Sequence, residues 1–203
     1  MGDMARPRMF DETAVLDAAA DQFRVHGFAD TSTEQLCEAA GVRRSSLYNT
    51  FTSKDELFVR ALERYVERTG AIQAEVLEDT DLDGMARLRG LLDAILAEEV
   101  SAAADGHAAG CMVVGSRMTP DLEDRDGRIK SILDRSLDRQ LSLLVLTIGV
   151  GQRDGTVRTG VPARDAALLV VSIISGVRVL GQAGSPPDEL RQVAMLGLDA
   201  LRP

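Results

Sequence analysis

The stretch AAGVRRSSLYNTFTSK, residues 39–54, decides how the rest of this chain is interpreted. It contains the cations Arg43, Arg44 and Lys54 and no acidic residue, although the whole chain has a net charge of −9. Arginine, serine, tyrosine and asparagine side chains on a short helix can reach base edges, and flanking cations and hydroxyls can hold phosphates. The stretch therefore predicts a surface that contacts nucleic acid.

The residues around this stretch predict two short helices joined by a tight glycine turn. The earlier helix begins at a capping box, formed either by Thr31 with Glu34 or by Ser32 with Gln35. The later helix covers residues 43–51 and carries polar side chains on its outer face. This arrangement is typical of a helix-turn-helix motif.

The remainder of the chain predicts further helices. None of the six prolines falls between Pro7 and Pro120, which favours an all-α fold. Residues 1–10 are predicted to be a frayed arm, Asp11 to cap the first helix, and His26-Gly27 to end it. Later helices are predicted to begin at a capping box formed by residues 53–56 and to cover residues 84–100, 106–118, 125–148, 163–183 and 186–202, with a turn-rich connection at residues 149–162.

We predict two domains. Residues 1–52 form a three-helix head, with a connecting helix to about residue 68, and residues 69–203 form a helical regulatory and dimerisation domain, giving about nine helices. Two cysteines make no disulfide framework, and the most apolar segment, residues 166–177, is shorter than the roughly 20 residues of a membrane span. We therefore expect a cytoplasmic protein that does not associate with a membrane.

Residues 15–62 closely resemble the DNA-binding head of the tetracycline-repressor (TetR) family of bacterial transcriptional regulators. The resemblance covers about a quarter of the chain and is weaker beyond residue 70. It is carried by Ala19 and Phe23, Gly27-Phe28, Thr31, the turn at residues 39–42, Leu47-Tyr48 with Phe51, and Ser53-Lys54 followed by Leu57. Arg43 departs from the pattern, because the family commonly has a small hydroxylated residue there that caps the recognition helix. Cys37 stands where alanine is usual.

The resemblance and the residue chemistry together predict the DNA contacts. Tyr48 matches a position that usually bonds phosphate in the family, and Arg44 is the best candidate for reading guanine, a contact worth about 1–3 kcal/mol. One recognition helix reads one half-site, so we expect a palindromic double-stranded operator bound by two heads. The predicted contacts are Thr31, Thr33, Arg43, Arg44, Ser45, Ser46, Tyr48, Asn49 and Lys54.

The resemblance also implies a small-molecule pocket in the carboxy-terminal domain and a homodimer whose last two helices pair with those of a second subunit. The expected effector is apolar or amphipathic. The predicted pocket residues are Met85, Leu88, Leu92, His107, Cys111, Met112, Met118, Leu141, Ile174 and Arg178. The predicted dimer contacts are Leu168, Val171, Ile173, Val177, Leu180, Val193, Leu196 and Leu201.

Several alternatives remain open at this level. Cys111 is either a reactive switch or a buried thiol, and His107 either contacts a ligand or has no role. Arg178 interrupts an apolar helix and needs a partner across the dimer interface, in the pocket or at the surface.

A helical enzyme is disfavoured because the chain has no metal-ligand spacing, nucleophile motif or phosphate loop, so no cofactor is expected. A protein-interaction adaptor is disfavoured by the basic stretch. The favoured hypothesis is a DNA-binding repressor that a small-molecule effector, bound in the carboxy-terminal domain, releases from its operator, although the residues alone do not distinguish repression from activation.

Overall fold

The computed structural model describes residues 11–104, 107–119 and 121–203, and it confirms the all-α fold class. The arm predicted for residues 1–10 lies outside these ranges, as does Gly106, the first residue of the helix predicted at 106–118. The described residues form ten helices: α1 (Glu12–Asp30), α2 (Thr33–Ala40), α3 (Arg44–Thr50), α4 (Lys54–Leu77), α5 (Gly84–Ala104), α6 (Met112–Met118), α7 (Leu122–Arg125), α8 (Gly127–Asp154), α9 (Ala163–Gln182) and α10 (Pro187–Asp199).

Side-chain caps set the amino ends of the first helices. Asp11 accepts a hydrogen bond from the Ala14 amide at 3.1 Å, as predicted, and Gly27, with φ +78°, breaks α1 near its end. The capping box of α2 is formed by Ser32 and Gln35, which settles the choice left by the sequence. Polar caps of this kind satisfy amides that have no partner within the helix, so they fix where each helix begins.

Two apolar clusters hold the molecule together, and α4 contributes to both. The amino half of α4, from Leu57 to Tyr65, packs in the head cluster with residues of α1, α2 and α3. Leu77, near its carboxyl end, packs in the second cluster with α5, α8, α9 and α10. The head cluster also includes Met112, Leu122, Ile129, Ile132 and Leu133. The packing therefore continues from the head into α6, α7 and the start of α8, across the division predicted at residue 69.

Ion pairs add to this connection between head and body. Within the head, Asp17 of α1 pairs with Arg64 of α4 at 3.1 Å. Two further pairs join head and body. Arg125 at the end of α7 pairs with Asp55 at 3.2 Å, and Arg128 in the first turn of α8 pairs with Glu56 at 2.7 Å. Asp55 and Glu56 lie in the first turn of α4, immediately after the helix-turn-helix, so the body contacts the helix that carries the head.

The predicted turn at residues 149–162 is wrong for its first part, because α8 continues through both early glycines to Asp154. Gly151 is instead a packing residue. A Cβ atom built on Gly84 of α5 would lie 2.3 Å from the Gly151 backbone, so the absence of side chains lets α5 and α8 touch. The last residue of α8 then caps α5, since the Asp154 carboxylate accepts from the Gly84 amide at 3.0 Å.

Candidate nucleic-acid interface and internal cavity

The outer surface of α3 presents the side chains predicted to contact DNA. Arg43, Arg44, Ser45 and Asn49 are exposed, whereas Leu47 faces inward and is buried in the head cluster. Arg43 precedes α3 without a side-chain capping bond, as its departure from the family pattern predicts. Leu47 therefore fixes α3 to the head core, while Arg43 and Arg44 remain exposed to solvent and accessible to a duplex.

Arg44 is held loosely by neighbours on this face. Its guanidinium pairs with Glu34 of α2 at 3.0 Å and lies 5.7 Å from the centre of the Tyr48 ring. Both members of the ion pair are largely exposed, and such pairs contribute only about 0–1 kcal/mol. Breaking the ion pair with Glu34 so that Arg44 can contact a base therefore costs little free energy.

Tyr48 and Thr33 connect the two helices of the motif. Their hydroxyl oxygens are 2.9 Å apart, and both residues are partly exposed. Thr33 begins α2, and backbone amides at a helix start favour phosphate. This contact links α2 to α3, and both hydroxyls are groups that can bond a phosphate.

Lys54 lies at the start of α4 in contact with an aromatic ring. Its ammonium is 4.5 Å from the centre of the Phe28 ring, and the Arg125 guanidinium is 4.9 Å from the same ring. Burial lowers the pKa of Lys54, Arg125 adds to this effect, and Asp55 opposes it. The Phe28 ring therefore contacts both Lys54, a predicted phosphate contact, and Arg125 of α7. The sequence did not predict this link, because Phe28 and Arg125 are far apart along the chain.

Thr31 does not fit the predicted role. Its side chain is 0% exposed, and its hydroxyl donates to the Gly27 carbonyl at 2.6 Å. The hydroxyl is therefore used inside the turn after α1, where it is not accessible to a phosphate. The neighbouring Ser32, rather than Thr31, caps the helix, which explains why the sequence could not separate the two.

An internal cavity of about 360 Å³ lies between α4, α5, α6, α8 and α9. Its walls are mainly aliphatic, with Val66 and Val76 from α4, Leu91 from α5, and Leu137 from α8. Four predicted pocket residues line it: Cys111, Met118, Ile174 and Arg178. Because one wall is formed by the helix that starts at the head, an occupant of the cavity would touch the connection between the two parts.

The inner end of the cavity contains a buried ion cluster. Arg178 is 6% exposed and pairs with Glu99, itself 3% exposed, at 2.8 Å, and it also pairs with Glu98. Glu99 accepts a further hydrogen bond from the Ala109 amide at 3.3 Å. Burial alone would lower the pKa of Arg178, but the glutamates raise it above its ordinary value. Of the three locations considered for the partner of Arg178, the structure shows the pocket, where Arg178 pairs with Glu98 and Glu99.

Tyr65 and Cys111 complete this end. Burial, with the neighbouring Cys111 as the next cause, raises the pKa of Tyr65 well above its ordinary value. Tyr65 thus supplies a neutral hydroxyl. Tyr65 and Glu98 both line the cavity, and neither was predicted to do so. The signal that could have found Glu99 is its spacing, because it follows Ile95 and Leu96 by four and three residues on the inward face of α5.

The other predicted pocket residues do not line the cavity. Met85, Leu88, Leu92 and Leu141 are buried in the body cluster, where they fill the core between helices. Met112 packs in the head cluster, and His107 is exposed with its ring nitrogen beside the Ala108 carbonyl. Helical periodicity identifies the inward face of a helix but does not separate residues that fill a core from residues that surround a void.

The last two helices carry an apolar surface facing outward. Leu168, Leu180, Val193 and Leu196 are exposed, with Leu196 at 72%. Leu169 and Val179 are also exposed. In contrast, Val177 and Leu201 are each 1% exposed and belong to the core of the protomer, so they are not available as dimer contacts.

Val171 and Ile173 are partly buried against the same core, and Val171 lines the cavity. Much of each side chain is therefore already in contact with the protomer's own core. Ile173 also packs between the helices, because a Cβ atom built on Gly197 of α10 would lie 2.8 Å from its side chain. These two residues contribute at most their outer edges to a subunit contact.

The loop between α5 and α6 connects the cavity with the head. The Arg24 guanidinium of α1 donates a hydrogen bond to the Ala109 carbonyl. The next residue, Gly110, has φ +67°, and a Cβ atom there would lie 2.4 Å from the Arg24 carbonyl oxygen. Only glycine fits this approach. Since the Ala109 amide also donates to Glu99, one peptide segment contacts both the ion cluster and α1.

Comparisons with known proteins agree with this architecture. The model for bacterial regulatory proteins of the tetR family matches residues 15–61. The transcriptional repressor ComR of Escherichia coli is 28% identical over 196 residues, covering 93% of this chain and 88% of ComR. The Escherichia coli repressor BdcR is 33% identical over 121 residues, covering 60% of this chain and 59% of BdcR. A cysteine-substituted form of the TetR-family regulator CifR, solved with 26-base-pair operator DNA, has a TM-score of 0.78 at 28% identity and covers 96% of this chain and 99% of its own.

A helix-turn-helix with an exposed polar face, mounted on an all-helical body, defines a DNA-binding transcriptional regulator, and these relatives are regulators rather than enzymes. Residues 15–61 match the family model, and over nearly its whole length the chain is similar to TetR-family transcriptional regulators. Within the described residues, no group of three or more His, Cys, Asp or Glu side chains is placed to hold a metal ion. None of the described helices is long and apolar enough to cross a membrane.

Proposed function

We propose that this regulator is a homodimeric repressor that leaves a palindromic operator when a small apolar or amphipathic molecule occupies the cavity. The observation that carries the proposal is that α4 forms both the support of the head and one wall of the cavity. A ligand can change operator affinity only if it binds the two conformations of the protein unequally. A cavity along α4 allows such unequal binding.

The exposed apolar surface of α9 and α10 supports the homodimer. Leu168, Leu180, Val193 and Leu196 lie on two consecutive helices, and a contiguous apolar surface of this kind marks an interaction site. A single α3 contacts one half-site, so two heads at a fixed spacing are needed for a palindrome. CifR, whose structure includes operator DNA, has the same fold over nearly the whole chain.

Two sets of contacts can transmit a change from the cavity to the head. The first is the segment at Ala109 and Gly110, which touches both Glu99 and Arg24. The second is α7, where Arg125 contacts Asp55 and the Phe28 ring beside Lys54. Movement of α6, which lies between these two segments and lines the cavity, would alter both sets of contacts.

A cavity-filling substitution tests the release mechanism without an identified effector. Ala94 lines the cavity on α5, and Ala94→Phe should favour the conformation that an effector favours. We expect operator binding, measured by fluorescence anisotropy on a duplex selected by the wild-type protein, to weaken by about tenfold or more. Ala97→Phe, at an exposed position of the same helix, is the control and should bind normally. A folded Ala94→Phe variant with wild-type affinity would contradict effector release.

A further inference from the structure

The inner end of the cavity carries more negative than positive charge. Glu98 and Glu99 both pair with Arg178, so two carboxylates share one guanidinium and one negative charge is left over. Arg178 and Glu99 are 6% and 3% exposed beside a mostly aliphatic wall, so their charges are poorly screened by water, and Glu98 is the acid of the cluster that a ligand can reach. A ligand that brings a positive charge to this end would balance the cluster.

The hydrogen-bonding groups at this end favour the same ligand chemistry. Both terminal nitrogens of Arg178 already donate to a glutamate, so an anion would have to displace a carboxylate. Glu99 is buried and also accepts from the Ala109 amide. Glu98 lines the cavity with 43% of its side chain exposed, and among the described residues only its Oε2 atom has a partner. The other carboxylate oxygen of Glu98 is an acceptor, so a ligand that binds it must supply a hydrogen-bond donor.

The remaining cations around the cavity do not reverse this balance. Arg117 is paired with Glu123 at 3.3 Å and with Asp134 at 2.8 Å, so its charge is already compensated. Arg139 has an exposed side chain that reaches toward Gly70 of α4. Its charge is therefore screened by solvent, unlike the charges of the buried Arg178–Glu99 pair.

We propose that the effector class is lipophilic amines, with the protonated amine bound by Glu98 and the hydrocarbon body against the aliphatic walls. Among the described lining residues Tyr65 is the only aromatic, so recognition depends on an ion pair and apolar burial rather than on an aromatic cage. The charged hydrogen bond supplies specificity, and the hydrocarbon supplies most of the burial. This inference rests on the proposed function only for its effect on the operator, because amine binding is measured directly.

The direct test is calorimetric titration of the full-length protein with n-octylamine, n-octanoate and 1-octanol, which share a chain length and differ in head group. We expect n-octylamine to bind most tightly, with n-octanoate weaker by about tenfold or more. This comparison uses only the wild-type protein, so it does not depend on how any variant folds. Equal or tighter binding of n-octanoate would overturn the proposal, and its loss in Arg139→Ala would assign the site to anions.

A matched pair of variants locates the amine. Glu98→Gln keeps the shape of the side chain and removes its charge, and it should weaken n-octylamine binding by about tenfold. Glu75→Gln removes an exposed charge from α4 outside the cavity lining and should bind as the wild type does. Equal affinities in the two variants would show that the amine binds the acidic surface in general and would overturn the assignment to Glu98.

Operator release is then measured separately by anisotropy with n-octylamine present. Displacement of the duplex from the wild type, but not from Glu98→Gln at the same concentration, would support both the amine class and effector release. Calorimetric binding at Glu98 without displacement would uphold the amine site and contradict release. Absence of n-octylamine binding would overturn the amine proposal, while the result for Ala94→Phe would still decide the proposed function.

Discussion

The head and the body of this regulator use charge in opposite ways. On the head, Arg44 and Glu34 form an ion pair that is exposed on both sides, weak, and easily exchanged for a nucleic-acid contact. In the body, Arg178 and Glu99 form an ion pair that is almost fully buried. The exposed pair favours exchange with a ligand, and the buried pair makes the fold depend on both partners being present. We therefore predict that the same residue types serve recognition in one region and structure in the other.

The buried pair gives the largest expected effect on stability. Arg178→Met should lower the free energy of unfolding by about 3–5 kcal/mol, because it leaves the Glu99 carboxylate buried without its cation. Urea denaturation followed by circular dichroism measures the loss. Adding Glu99→Gln to Arg178→Met should recover part of it. A loss below about 1 kcal/mol in Arg178→Met would contradict the difference drawn between the two regions.

Charge on the proposed dimer surface should separate assembly from folding. Leu180→Glu with Leu196→Glu places two acids on exposed positions of α9 and α10, so each protomer should lose little stability while the dimer dissociates. Sedimentation velocity measures the change in mass, and we expect a monomer. Leu146→Glu, also exposed but on α8, is the control and should remain dimeric. A double variant that is still a dimer would place the subunit contact elsewhere.

The junction at Gly110 should show a moderate effect. Gly110→Ala adds a Cβ atom 2.4 Å from the Arg24 carbonyl at a positive φ, which should cost about 1–3 kcal/mol in thermal or urea unfolding. Gly115→Ala provides the contrast, because a Cβ atom there meets no neighbour within 4 Å and alanine favours a helix. If both variants unfold at the same denaturant concentration, the close approach of the α5–α6 loop to α1 is absent in solution.

The smallest expected effect is the pH dependence from Asp154. Hydrogen bonds from Thr156, and then from the Gly84 amide, lower the pKa of Asp154 from its ordinary value of 3.8. Since the folded pKa is below the unfolded pKa, the stabilisation is complete above about pH 4 and is lost as the pH falls through the folded value. In Asp154→Asn, the melting temperature should therefore fall less steeply with decreasing pH below about pH 4 than it does in the wild type. An unchanged acid dependence would show that Asp154 does not cap α5.

The head was predictable from sequence because its signals are local. The Ser32 capping box, the glycine turn and the anchors Leu47 and Phe51 act within a few residues, so the helix boundaries and the exposed face follow from spacing. Thr31 is the exception. A hydroxyl near a helix start can point outward to a phosphate or inward to a carbonyl, and the choice depends on α1.

The body was predictable only as a set of apolar helices. Whether an inward side chain fills a core, as Leu88 does, or borders a void, as Ile174 does, depends on how five helices meet. Gly151 shows the same limit, since a glycine that looks like a turn from sequence serves as a contact between two helices. The partner of Arg178 lies 79 positions away, beyond the reach of any spacing rule.

The central claim is that the outer face of α3 binds DNA, and operator affinity in Arg44→Ala/Tyr48→Ala tests it most directly. Fluorescence anisotropy on the selected duplex, at several salt concentrations, should show affinity reduced by at least about 100-fold, with a melting temperature close to that of the wild type. Arg164→Ala, an exposed arginine of α9, should bind normally. Wild-type affinity in the folded double variant would contradict the account.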